Sequence, residues 1–198
     1  MNNKFKNVDE KQLTINKVSE IFDKIISDIE NQIKLLGCLD TGSTLCGICL
    51  NKANNSIYSI NVGDSLSVVY NNKLQEIENF NELHNLKFNK SEEKRILDLN
   101  VKIDNNRVNG TLAVTRSIGD FAMRKHGVIS IPEYKEKKIS PNDITIIATD
   151  GLFDVLNNSQ IKDIILKSSN NNISQLLIKE ALSKETKDNV TVIVLIHN

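Results

Sequence analysis

At Gly37 the hydrophobic period of this chain changes, and that change limits its fold more than any other feature. Before it, Val18, Ile21, Phe22, Ile25, Ile26, Ile29, Ile33 and Leu36 recur every three or four residues. That spacing lays one apolar stripe along a long helix. The polar face carries both signs of charge, so the stripe faces a protein core rather than a membrane surface. Asp9 with Gln12 is placed to cap the helix start, and Gly37 to end it. After Gly37 the period falls to about two. Residues 42–50, 56–62 and 65–70 read as short strands, divided by turns at Asn54-Asn55 and Gly63-Asp64, and Asn71-Asn72 leads into another near 73–77. The succession predicts a meander of adjacent antiparallel strands rather than alternating strands and helices.

Further along, residues 91–97 predict a short helix capped by Ser91. An irregular stretch over 101–132 follows, with turn chemistry at Asn105-Asn106 and Asn109-Gly110. Residues 134–139 and 144–148 flank Pro141-Asn142-Asp143 and predict a hairpin. Two helices follow near 160–167 and 173–183, and the β-branched run NVTVIVLI over 189–196 predicts a terminal strand. No repeat or linker divides the chain, so its 198 residues predict one α+β domain over 1–198.

Several function classes drop out on composition. Lys+Arg and Asp+Glu balance at 25 each, so no net field draws the protein to nucleic acid or to an anionic membrane. No apolar run approaches the length of a membrane span, and the polar start MNNKFKNVDEK has no signal-peptide core. Three cysteines are too few and too odd in number for a disulfide scaffold, which predicts a reduced, cytoplasmic setting. The C-x-x-C at Cys46 and Cys49 lies inside an alternating strand pattern with no second such pair, and reads as two small hydrophobes. His84, His126 and His197 show no spacing that pairs them. Asn is abundant but scattered, filling turns and exposed positions. Arginine is scarce, at 95, 107, 116 and 124 alone, which makes those four positions worth following.

Four acids fall at strand ends or turns: Asp64, Asp120, Asp150 and Asp188. Asp150 follows the apolar run 144–148, and Asp188 comes just before the terminal strand. Carboxylates gathered at strand ends suit hard divalent cations such as Mg²⁺ or Mn²⁺, which take a few carboxylates and several waters. Each aspartate taken singly also reads as a turn former bonding its own backbone.

The run RVNGTLAVTRSIGD at 107–120 resembles a signature of the metal-dependent protein phosphatase 2C family. So do TGSTLCGI at 41–48, NVGDS at 61–65, the segment from Ile129 through ISIPEY, IIATDGLFDVLNNSQ at 146–160 and KDNVTVIVL at 187–195, all in the family's order. The resemblance implies two antiparallel sheets packed as a sandwich and flanked by helix pairs. It also implies two Mn²⁺ or Mg²⁺ ions and a metal-activated water that attacks a phosphoserine or phosphothreonine directly. By motif, Asp150 and Asp188 match metal-binding aspartates, Asp64 the aspartate of a third, weaker metal, and Asp120 a supporting acidic position.

The departures are as specific. The family's substrate-phosphate arginine, its D-G-H-G-G element and the bridging aspartate and proposed general-acid histidine within it have no counterpart here. In place of Asp-His-Lys-Pro stands Leu83-His84-Asn85-Leu86. The chain therefore reads as N-terminally truncated, with a leading helix over 1–36 and a family-matching region over 41–198. The resemblance implies a protein serine/threonine phosphatase domain acting on a phosphoprotein. Without the missing element, the expectation for the chain itself is little or no hydrolysis and a weak or incomplete Mn²⁺ or Mg²⁺ site formed by Asp150, Asp188 and Asp64, with no catalytic residue assigned. The alternative is a pseudophosphatase that binds a protein partner. Lost strands would also leave sheet edges open to self-association.

Overall fold

The computed structural model describes residues 13–168 and 172–198. The leading helix, α1, spans Ile15–Leu35. Asp9 and Gln12 lie outside the described residues; Thr14 is the cap, its hydroxyl accepting the Lys17 amide at 3.3 Å. Gly37 ends the helix with φ 72°, as the sequence predicts.

Two antiparallel sheets follow. The first orders Leu45–Asn51 (β2), Ser56–Val62 (β3) and Glu133–Lys138 (β9); the short β1, Gly42–Ser43, precedes β2 and pairs with Ile118–Gly119 (β8). The second sheet orders β11 (Val192–Ile196), β10 (Ile144–Ala148), β4 (Leu66–Asn71) and β5 (Glu76–Asn79). Between the sheets in sequence lie α2 (Lys90–Leu97) and a two-stranded hairpin of Ile103–Asp104 (β6) and Arg107–Val108 (β7). Three more helices, Asp150–Phe153 (α3), Asn158–Lys167 (α4) and Ile173–Ser183 (α5), separate β10 from β11.

Alternation along the strands assigns the layers. Every residue of β3 is buried. Tyr58 and Ile60 face α1, packing with Leu13 and Val18, while Ile57 faces the other way onto Val69 of β4 and Phe80. On β4, Leu66, Val68 and Tyr70 face Ile161, Ile165 and Leu177 of α4 and α5. The result is a sandwich with helices on both outer faces. Fully burying one such aliphatic side chain contributes roughly 1.5–3 kcal/mol. The layer between the sheets is partly polar: the Asn81 carbonyl accepts both the Ser67 amide (2.6 Å) and its hydroxyl (2.7 Å), and the Asn81 amide donates to the Ser65 carbonyl.

The expected meander is corrected. After β3 the chain leaves its sheet, and β4 pairs with β10 and β5 instead. The expected hairpin of 134–139 and 144–148 is corrected too: β9 pairs with β3 and β10 with β4 and β11. The reason lies in the turn. The buried Asp143 carboxylate accepts the amides of Ser140 and Asn72, so Pro141-Asn142-Asp143 carries the chain across to the second sheet. The helix at 90–97 is capped by Asn89 rather than Ser91; the Asn89 carbonyl oxygen accepts the Ser91 and Glu92 amides.

Each sheet has one guarded edge and one bare edge. β5 (EIEN) and β9 (EYKEKK) carry charges, and Lys137 of β9 ion-pairs Glu78 of β5. β2 (LCGICLN) and β11 (VIVLI) carry none, and Ile193 is 52% exposed.

A buried ion cluster fixes the long irregular stretch. Glu92 on α2, 3% exposed, accepts Arg95 and Arg116 at 2.7 Å each and the Thr115 hydroxyl at 2.6 Å. Arg95 also donates to the Gly127 carbonyl and Arg116 to that of Ile131. Burial alone would raise the Glu92 pKa, but the Arg116, Arg95 and Thr115 hydrogen bonds outweigh it and hold it at about 2. Because the folded pKa is depressed, this stabilisation is complete above pH 4.5 and is lost as pH falls towards 2. Glu92→Gln leaves both arginines without their counter-charge, and chemical denaturation at pH 7 should show a loss of about 3 kcal/mol. The variant should also lack the wild-type fall in stability below pH 4.5; an unchanged midpoint at both pH values would contradict this role.

Candidate functional site

The strand register builds the site. Ala148, the last residue of β10, lies opposite Leu66 at the start of β4 and opposite Val192 at the start of β11. Three strands therefore end together, and the loops beyond them carry Asp64, Asp150 and Asp188. All three line one cavity of about 850 Å³ at this end of the second sheet. Asp154, which sequence reasoning did not single out, lines it as well. It stands four residues after Asp150 on the turn begun by α3, where i and i+4 share a face. Asp120 is elsewhere: it lies against Gly42 in a left-handed conformation and its amide donates to the Thr41 carbonyl.

Two glycines set the spacing of the carboxylates. A Cβ on Gly151 would stand 2.4 Å from the Asn189 carbonyl oxygen, so only glycine lets α3 begin against the Asp188-Asn189 backbone. Thr149 stitches the same junction, its hydroxyl donating to the Asn189 carbonyl and accepting the Thr191 amide. Gly63 has φ 116°, and a Cβ there would meet the Thr44 methyl at 2.3 Å. Its amide donates to His84 Nδ1 at 3.1 Å, and its carbonyl accepts the His84 amide at 3.0 Å. Burial, then the nearby Arg116 charge, lowers the His84 pKa to about 4, which keeps the ring neutral and Nδ1 an acceptor. His84 is thus a brace for the loop that carries Asp64.

The acids feel one another. Burial and then the Asp150 charge raise the Asp64 pKa to about 6, and burial followed by Asp188 and Asp154 raises that of Asp150. Asp150 and Asp188 accept the amides of the residues that follow them, at 3.0 and 2.7 Å. Among the described residues, no cation pairs with any of the four. A group of oxygen donors under mutual repulsion suits a hard divalent ion, which would relieve the strain on the cluster. Among the described residues no three acids, histidines or cysteines converge closely enough to form a ready-made metal cage. The donors fit an ion that retains much of its water.

Lys87 and Arg107 line the same cavity, with Asn105 and Asn106. The scarce arginines are all accounted for: Arg95 and Arg116 hold Glu92, Arg124 pairs with Glu30 of α1, and Arg107 faces the cavity. The C-x-x-C sulfurs cannot chelate together, since positions 46 and 49 of β2 point to opposite faces. Cys49 packs with the cluster under α1, and Cys46 lies near Asn81 between the sheets. Both are part-buried, as a hydrophobic role requires.

A sandwich of this topology, with aspartates gathered where three strands end, defines the phosphatase 2C class of fold. A profile of the family Protein phosphatase 2C matches residues 2–190, and the chain belongs to that family. It is 34% identical over 183 residues to a probable protein phosphatase 2C 56 of Oryza sativa subsp. japonica, covering 90% of this chain and 50% of the relative. It is 30% identical over 176 residues to an integrin-linked kinase-associated serine/threonine phosphatase 2C of Bos taurus, covering 78% of this chain and 47% of that one. Among solved structures, a serine-threonine phosphatase 2C from Toxoplasma gondii superposes with TM-score 0.79 at 19% identity, over 93% of this chain and 67% of the other. A C. elegans sex determining protein does so with TM-score 0.82 at 20% identity, over 96% and 48%. The chain spans about half the length of the curated relatives it matches.

Proposed function

We propose that the chain is a metal-dependent protein serine/threonine phosphatase domain whose metal site is only partly built by its own residues. The observation that carries this reading is the convergence of Asp64, Asp150 and Asp188 on one cavity at the end of the second sheet. These three are the ligands we assign, within a single domain over 1–198. Mn²⁺ or Mg²⁺ held there would offset phosphoryl charge and lower the pKa of a water. The chain's own part is to fix the carboxylates: Gly151 seats Asp150 beside Asp188, and the His84 brace fixes the loop of Asp64. Asp64 and Asp150, with raised proton affinity, also exchange protons closer to neutrality than ordinary aspartates do. The family's D-G-H-G-G element has no counterpart in this sequence, which is why full hydrolysis is not expected of these residues alone.

A second reading rests on the sparse ligand set. With no three ligands close enough together among the described residues to form a ready-made cage, the domain would bind phosphoproteins without hydrolysing them. Turnover of a phosphothreonine peptide in Mn²⁺ separates the two readings, and little or none is expected from the chain alone. Among the described residues, no helix is long and apolar enough to cross a membrane. The three free cysteines favour a cytoplasmic setting, although one relative, from Xenopus laevis, is named as mitochondrial.

Calorimetric titration with Mn²⁺ tests the metal reading. A single site with a dissociation constant on the order of millimolar is expected, weakened severalfold in Asp150→Asn and Asp188→Asn. Two tight sites, or binding that both substitutions leave unchanged, would contradict it.

The bare edges of β2 and β11 support self-association through sheet pairing. Sedimentation velocity should show a weight-average mass that rises with concentration, and Ile193→Lys should suppress the rise by placing charge on the edge. A monomer at all concentrations would sink this idea.

A further inference from the structure

The cavity lined by the aspartates is lined by two cations as well, Lys87 and Arg107, each next to a buried residue. Lys87 follows Leu86, 2% exposed, and Arg107 precedes Val108, which is fully buried. Leu86 and Val108 belong to one small core with Ile96 of α2 and Val128. Asn85 bridges to Val114 in the same module, and Ala113 reaches the cavity from it. The two cations are therefore presented by a single packed unit, the one locked by the Glu92 cluster.

Their donors are available. Arg107 uses one N–H, donating from Nη1 to the Thr111 carbonyl at 2.8 Å, and among the described residues no carboxylate lies within ion-pair distance of it. A guanidinium carries five donors in a planar fork, so four remain. The Lys87 ammonium stands 4.6 Å from the centre of the Phe88 ring, which steadies it, and the side chain stays exposed. Asn105 and Asn106, at the tip of the β6–β7 hairpin, add amide groups to the same cavity. Charges of both signs in one cavity select a ligand of matching polarity. An anion belongs at the two cations, and a cation belongs between it and the aspartates. A tetrahedral dianion with several acceptor oxygens is what a planar arginine fork grips best.

We propose that Arg107, supported by Lys87, is the anion-anchoring wall of this cavity and that its ligand is a phosphomonoester dianion, held so that the phosphoryl group faces the aspartates. This deepens the phosphatase reading and rests on it for the orientation of the ligand, while the anion wall itself stands on the two cations.

The test is calorimetric titration of the full chain with inorganic phosphate, a phosphothreonine peptide and its unphosphorylated counterpart, each with and without Mn²⁺. Arg107→Gln should weaken both phosphate ligands by about five- to tenfold. Arg107→Lys should recover part of that loss, because it restores the charge without the fork. Lys52→Gln, which removes an exposed cation from the turn after β2, should stay within about twofold of wild type. The unphosphorylated peptide should not compete. A phosphopeptide that binds more tightly than inorganic phosphate identifies a phosphorylated side chain as the ligand's source, and the reverse order identifies the free ion. Equal losses in Arg107→Gln and Lys52→Gln, or no loss in either, would overturn the proposal. If Mn²⁺ leaves the wild-type affinity for phosphate unchanged while Arg107→Gln still loses it, the metal reading fails and the anion wall stands.

Discussion

The pairing of Ile144–Ala148 with a strand on each side is the constraint on which the rest of this structure depends. It is a mostly apolar strand held centrally, and its register with β4 and β11 makes three strands stop at one level. Asp64 lies two residues before one strand, Asp150 two after another and Asp188 four before the third, so their meeting follows from the register. A slip of one residue in either pairing would turn Ile144, Ile146 and Ala148 away from the helices and scatter the carboxylates. The core that α4 and α5 build with these strands thus supports the site as much as the fold.

Gathering four acids at one end of a sheet opposes folding, and several devices offset it. Gly151 brings two backbones closer than any side chain allows, and the buried neutral His84 braces the Gly63-Asp64 turn from both its amide and its carbonyl. The Glu92 cluster locks α2 to the segment running through Arg116, and Lys87 and Arg107, beside the small core that α2 joins, line the same cavity as the acids. The cavity joins two modules of different make: a sheet end rich in carboxylates and a small helical unit rich in cations.

Much of this was legible in the sequence where local pattern decides structure. The strand at 56–62 and the helix at 173–183 match the expected bounds, since alternation and periodicity there agree with burial. The three aspartates that line the cavity are legible through motif order, and their turns through Gly and Asn. The hairpin at Pro141 was misread because turn chemistry alone cannot tell a fold-back from a crossing between sheets. The strands do not separate the two cases either, since EYKEKK pairs with β3, every residue of which is buried; the deciding contact is that of Asp143 with the Asn72 amide, 71 residues away in sequence. Asp154 is not legible because α3, at four residues, is too short for a helical period to show. Glu92 was hidden because a buried ion cluster depends on contacts some twenty residues apart, which no local period reveals.

Paramagnetic broadening by Mn²⁺ tests the central claim, that the ends of β4, β10 and β11 form one cation site. In the amide spectrum of the full chain, substoichiometric Mn²⁺ should broaden residues around Asp64, Asp150 and Asp188 together. Resonances at the far ends of the same strands, near Asn71, Ile144 and Ile196, should stay sharp. Broadening confined to one of the three loops, or spread over exposed acids elsewhere such as Glu20 and Asp98, would contradict the account.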